Sequence, residues 1–147
     1  MQKKFELTSE KKEFFGKTFF RIRALVSFGS VVKGELGGFL ESEDNLSPSG
    51  NAWVSGDARV SGNALVSGDA LVSGDALVYG NAFVYGNAWV YGNARVYGDA
   101  WVYGNARVYG DARASAVLCS RFGFSSTTQI DLWLKKEKEF EKEAASI

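Results

Sequence analysis

The chain has 147 residues, 46% of them hydrophobic, a length and balance that suit one domain with a sizeable core. Seventeen basic residues offset seventeen acidic ones, so no bulk field steers the protein toward a polyanion or a polycation. Histidine is absent and Cys119 is the lone cysteine, which removes histidine general bases, Ser-His pairs, histidine-bound zinc and any intrachain disulfide.

From the N-terminus, Met1-Gln2-Lys3-Lys4-Phe5-Glu6 leads into no apolar signal core, and no stretch is long enough to span a bilayer. A cytoplasmic protein is the expectation. Lys3 to Leu7 reads as a short strand and Thr8 to Glu13 as a polar turn or single helical turn. Thr18 to Val26 is rich in β-formers, with Phe20, Ile22 and Ala24 alternating against Arg21 and Arg23. A hairpin between the two strands follows, with Phe14 and Phe15 packed beneath it. The two arginines fit the polar side of a half-exposed strand better than a binding site. Residues 1–49 are expected to cap what comes after them, because an open sheet edge must be covered.

Gly37-Gly38 lacks both the G-x-G-x-x-G spacing and a following Lys-Ser/Thr pair, so it predicts a tight bend, not a phosphate loop. Glu41, Glu43 and Asp44 read as a solvated acidic turn.

Residues 50–115 divide into eleven hexads of the form Gly-(Asn/Asp)-Ala-X-Val-(Ser/Tyr), with Ala114 replacing Val in the last. A strict six-residue period is neither helical nor a simple hairpin; it predicts a parallel β-helix with one short strand and one corner per hexad. Side chains alternate along a strand, so Ala and Val face inward while X and Ser/Tyr face outward. Gly with Asn or Asp supplies the corner, because both tolerate left-handed backbone. Three hexads make an eighteen-residue coil, and the eleven make somewhat under four coils.

That coil assigns each outward residue to a face. The first stacks Trp53, Leu71, Trp89 and Arg107 beside Ser55, Ser73, Tyr91 and Tyr109. The second stacks Arg59, Leu77, Arg95 and Arg113 beside Ser61, Tyr79, Tyr97 and Ser115. The third stacks Leu65, Phe83 and Trp101 beside Ser67, Tyr85 and Tyr103, with no charge along its strands. Aromatic side chains bury about 150–250 Å² each, so this third face predicts an apolar patch that something covers. Self-association is the first choice, as a dimer or as the trimer that resemblance to other hexapeptide-repeat proteins implies; a docked C-terminal segment or a partner protein are the others. Tyrosine ladders also stabilise sheets without any ligand. Stacked aromatics near Arg95 and Arg113 suggest single-stranded nucleic acid or glycan binding. Against nucleic acid, Arg59, Arg95, Arg107 and Arg113 meet Asp57, Asp69, Asp75, Asp99 and Asp111 across the repeat. Asp57 and Asp75 stack one coil apart, where Ca²⁺ is one way to relieve their repulsion and hydration the simpler one. No cofactor is expected.

Past Ser115 the repeat decays, and Phe122 to Ser126 is expected to turn the chain. Thr128 with Asp131 forms a weak capping box ahead of an amphipathic helix carrying Ile130, Trp133, Leu134 and Phe140 on one stripe. Within 116–147 that helix is expected to close the prism or pair between subunits, with Cys119 a small apolar residue near the closure.

Hexad proteins of this kind are similar to the left-handed β-helical acyltransferases, whose resemblance implies a histidine base that this chain lacks. The order of segments is more specific. Phe20-Arg21-Ile22-Arg23-Ala24-Leu25, then Leu36-Gly37-Gly38-Phe39-Leu40-Glu41, then Asn45-Leu46-Ser47 and the hexads, resembles a group of phage and prophage proteins. That resemblance implies a left-handed hand for the coil and a location in the host cell. It implies a non-enzymatic structural or interaction protein, with inhibition of a host protein as an alternative. Hexads of the acyltransferase type place Gly directly after the aliphatic residue, where this chain has Ser or Tyr.

Overall fold

The computed structural model describes residues 3–115, 117–119, 123–124 and Ile130. β1 (Phe5–Phe14) and β2 (Lys17–Ala24) form an antiparallel hairpin, and β2 pairs antiparallel with β3 (Leu36–Leu40). A 3-10 turn at Glu43–Asn45 follows. Two-residue strands then recur every six residues: β4 (Trp53–Val54), β5 (Arg59–Val60), β6 (Leu65–Val66), β7 (Leu71–Val72), β8 (Leu77–Val78) and β9 (Phe83–Val84). The series continues through β10 (Trp89–Val90), β11 (Arg95–Val96), β12 (Trp101–Tyr103), β13 (Arg107–Val108) and β14 (Arg113–Ala114). β15 (Val117–Cys119) and β16 (Gly123–Phe124) close the described chain.

The strands stack in three parallel sheets, ordered β4-β7-β10-β13-β16, β3-β5-β8-β11-β14 and β6-β9-β12-β15. The hairpin β1-β2 is added to the second of these through β3. Every pair from β4 to β14 joins residues eighteen apart, such as Trp53 with Leu71 and Val84 with Val102. The fold is therefore an all-β, three-sided β-solenoid of about four turns, and the face assignments read from the period hold.

Its core follows from the alternation. Ala52 through Ala112 and Val54 through Val108 at the hexad positions are all at most 1% exposed. Burying one valine contributes about 1.5–3 kcal/mol, and the prism repeats that contribution in every hexad. Between coils the backbone is bonded regularly: from Gly50 to Tyr97 each hexad sends three N–H groups to the next coil, as in Asn51 to Gly68, Trp53 to Ala70 and Ser55 to Val72 at 3.0, 3.1 and 2.8 Å.

The corners are tighter than the sequence suggested. Ala58 N–H bonds back to Ser55 O at 3.3 Å, so Ser55-Gly56-Asp57-Ala58 is a β-turn. Positive φ falls on the glycine alone, never on the Asn or Asp that follows, which is the pattern of a type II′ turn. Gly68 shows why no other residue fits: φ is +63°, and an added Cβ would lie 2.9 Å from the nitrogen of Gly86 in the next coil. The Asn and Asp side chains instead bond along the stack, Asn63 donating to Asn81 at 3.1 Å and Asn81 to Asp99 at 3.3 Å.

Three expectations for the N-terminal part are corrected. Thr8 to Glu13 is strand, not turn, because β1 runs unbroken past Leu7 apart from a register shift before Lys11. Phe15 does not pack beneath the hairpin: it sits at the hairpin tip, 97% exposed, while Phe14 alone turns inward. Gly37 and Gly38 lie inside β3, not in a bend. A Cβ on Gly37 would come 2.5 Å from Val54 O, and one on Gly38 would come 2.7 Å from Ala58 O. Their role is close approach of β3 to the first hexads.

The coil stack also starts before the first hexad. β3 pairs parallel with β5, Leu40 against Val60, and Leu46 bridges to Val66. At the other end β15 and β16 stack on β12 and β13, with Val102 against Leu118 and Val108 against Phe124, so Gly123–Phe124 is strand where a turn was expected. Ile130 is buried and joins the same core. The predicted C-terminal helix, with Trp133, Leu134 and Phe140, otherwise lies outside the described residues.

Candidate interaction surface

Each face carries one stacked tyrosine pair. Tyr91–Tyr109 on the first face, Tyr79–Tyr97 on the second and Tyr85–Tyr103 on the third have centroids 5.1, 5.4 and 5.0 Å apart. Their planes lie within 12° of parallel. The eighteen-residue register sets this spacing directly, since the same side chain recurs one interstrand distance further along.

On the third face the pair extends into a cluster. Trp101 meets Phe83 edge-on at 6.0 Å and Tyr85 at 6.4 Å, and Leu65 lies one coil before Phe83. Trp101 stays 45% exposed. The first face carries Trp89, 42% exposed, with the Arg107 guanidinium 5.0 Å over its ring. Trp53 departs from the expected pattern. It points outward in register with Trp89 yet is 3% exposed, because Phe28 from the β2–β3 connection packs edge-on against it at 5.4 Å.

The second face is partly roofed by the hairpin. Phe39, its first outward residue, is buried under Arg21 and Lys12, whose charged groups lie 4.4 and 5.0 Å from its ring. Arg59 in the next coil lies 3.3 Å from the Phe14 ring. Arg21 also donates to Gly37 O at 2.7 Å, pairs with Glu10, and approaches Asp57 at 3.8 Å. It is a structural tie between arm and coils. Asp57 thus faces a cation of the protein's own, and among the described residues no cluster of three or more metal-ligating side chains occurs. Further along, Leu77 is partly exposed and Arg95 and Arg113 are exposed. Between the arm tip and this strip runs a groove of about 490 Å³, lined by Phe14, Phe15, Lys17, Arg59, Tyr79 and Arg95 among others. Sequence reasoning missed this groove, because nothing local to residues 5–24 tells where the hairpin folds back.

The geometry defines a parallel β-helix repeat protein. Five stretches, residues 58–74, 76–92, 82–96, 88–104 and 100–116, are similar to the family described as YdcK Beta solenoid repeat. No curated protein matches the chain. Among the described residues, no helix is long and apolar enough to cross a membrane.

Proposed function

We propose that the protein is a non-enzymatic β-solenoid scaffold that self-associates, as a dimer or trimer, through its third face. The observation that carries this reading is the uncharged cluster of Leu65, Phe83, Tyr85, Trp101 and Tyr103, with its largest ring half in water. Packing a second copy there removes apolar area at about 25 cal/mol per Å², and the rings are already held in place, so little side-chain entropy is lost. The phage and prophage resemblance, carried by the N-terminal strands and the hexads together, supports a structural or interaction role in a host cell's cytoplasm, without naming a partner. A glycan or nucleotide ligand is less favoured, because within each tyrosine pair the facing ring surfaces are occupied by each other. The test is light scattering after size exclusion on the full chain and on Trp101→Arg. The reading expects an oligomer that the substitution dissociates to monomer. A wild-type chain that stays monomeric at about 100 μM, well above typical interface affinities, refutes it.

A further inference from the structure

We propose that the groove between the hairpin tip and the second face docks an extended acidic peptide segment bearing an aromatic or branched apolar side chain. The site is separate from the third face and does not depend on self-association.

Charge complementarity sets the sign of the occupant. Lys17, Arg59 and Arg95 line the groove and no carboxylate does. Lys17 lies 3.8 Å from Glu41, and Arg59 rests against the Phe14 ring without an ion pair. The Arg95 guanidinium has neither a hydrogen bond nor an ion pair among the described residues. It stands in register with Arg113 on the next strand, and like charges directly opposite are unfavourable. A carboxylate placed here meets the Arg95 guanidinium, which the described residues leave without an ion pair, with Arg59 and Lys17 beside it.

The apolar part of the groove sets the rest. Phe14, Phe15, Phe19, Leu77 and Tyr79 contribute to its walls. Phe15 is the most telling of them. It is the one non-glycine residue with positive φ among the described residues, at 53°, and it is almost wholly in water. A bulky residue in that conformation costs on the order of 1 kcal/mol or more, and a glycine would remove the cost. The positive φ belongs to the two-residue hairpin turn Phe15-Gly16, but the exposed ring has no partner in that turn, and something bound at the tip would cover it.

Shape favours a chain over a small molecule. The groove shares Phe14, Phe15, Arg59, Leu77 and Arg95 with a second depression that runs on to Asp75, Asn93, Asp111 and Arg113. The result is an open trough, not an enclosed pit, and its acidic occupant belongs in the part between Lys17 and Arg95, because Asp75 and Asp111 line the extension.

The test uses the full chain and fluorescent nonapeptide pools: one degenerate in Asp and Glu around a central Phe, one with Lys for the acids, one with Gly for the Phe. Retention of the acidic Phe pool should exceed both others by about tenfold and fall between 50 and 300 mM salt. Arg95→Glu and Phe15→Gly should each lower it about fivefold or more while thermal melts show the prism intact. Equal retention of the acidic and basic pools, or retention untouched by both substitutions, overturns the proposal. So does binding of oligothymidylate as strong as that of the acidic pool and equally sensitive to Arg95→Glu, which would make the trough a nucleic-acid surface.

Discussion

Lys4 donates from its buried ammonium to the carbonyl of Ala52 at 2.7 Å, doing with a side chain what a strand does everywhere else in the stack. Its second contact, to Gly50 O at 3.5 Å, covers the neighbouring acceptor of the same hexad. Asn45 does the same on the third face, donating to Gly62 O and Ala64 O at 3.2 and 2.9 Å. β3 covers the second face with backbone. At the N-terminal end of the stack, carbonyls of the first hexads are therefore covered by a side chain on two faces and by the backbone of β3 on the other. Unsatisfied buried carbonyls cost about 1–3 kcal/mol each, so these devices are what let the prism end.

Lys4 carries a pH signature. Burial lowers its pKa from 10.5 to about 8. Below pH 8 both folded and unfolded chains hold the proton, and the fold bears the whole cost of a buried ammonium. Between pH 8 and about 10.5 the folded chain releases a proton that the unfolded chain keeps, so stability rises with pH across that window. A gain on the order of 1–3 kcal/mol is expected relative to Lys4→Met, at about 1.4 kcal/mol per unit of pKa difference. Urea midpoints of both proteins at pH 7.5 and 10 measure it, with tyrosine ionisation common to the two. Parallel profiles would show that the lysine titrates alike in both states.

Corner glycines separate strain from crowding. Gly68 and Gly16 both have positive φ, at 63° and 77°, but a Cβ on Gly68 meets Gly86 backbone whereas one on Gly16 meets nothing within 4 Å. Gly16→Ala is expected to cost about 1 kcal/mol from φ alone. Gly68→Ala should cost about 2–4 kcal/mol, since the neighbouring coil must shift as well. Equal losses in denaturant unfolding would mean that the stack yields freely at its corners.

How far the sequence leads depends on where its period survives. The outward columns were legible because eighteen residues separate every stacked pair from Trp53 to Arg113. Leu40 and Leu46 already keep the six-residue step, opposite Val60 and Val66, but Ser47-Pro48-Ser49-Gly50 inserts two extra residues before Val54 and hides that first coil. The last coil is two residues short, Trp101 pairing with Val117, and so looked like decay. Burial of Trp53 depends on Phe28, and the groove depends on Phe14 reaching Arg59; both are contacts between segments with no shared pattern. Gly37-Gly38 signals a bend locally, as any glycine pair does, whereas here the demand for glycine comes from Val54 and Ala58 across the coil.

The arm itself should come loose when its anchor is cut. Phe14 holds the hairpin to the second face through Arg59 at 3.3 Å and packs edge-on against Phe19 at 5.9 Å. Phe14→Ala is expected to cost about 1–2 kcal/mol locally, from lost cation–π and ring contacts, with little effect on unfolding of the prism. Trypsin cleavage at Lys11, Lys12 and Lys17 should accelerate about tenfold, because cleavage of a locally opened segment tracks its opening free energy. Unchanged cleavage would place the hold on the arm in Arg21 and its partners instead.

The core has its own asymmetry. Val84 and Ala88 are both fully buried, yet they occupy different positions in the hexad, the valine mid-strand and the alanine just after the corner. Val84→Ala removes two methyl groups from a column with no other filler, an expected loss of about 2 kcal/mol from transfer and cavity together. Ala88→Val adds the same volume where the chain has just turned and its neighbours, Ala70 and Ala106, are equally small. Overpacking there should cost about 1–3 kcal/mol. If valine filled the column freely in the single substitution, thermal melting would rise, and the strict alternation of small and larger residues would have to serve something other than packing. A fall in both variants, with the double substitution recovering little because the two sites lie on different sheets, is the outcome that the geometry requires.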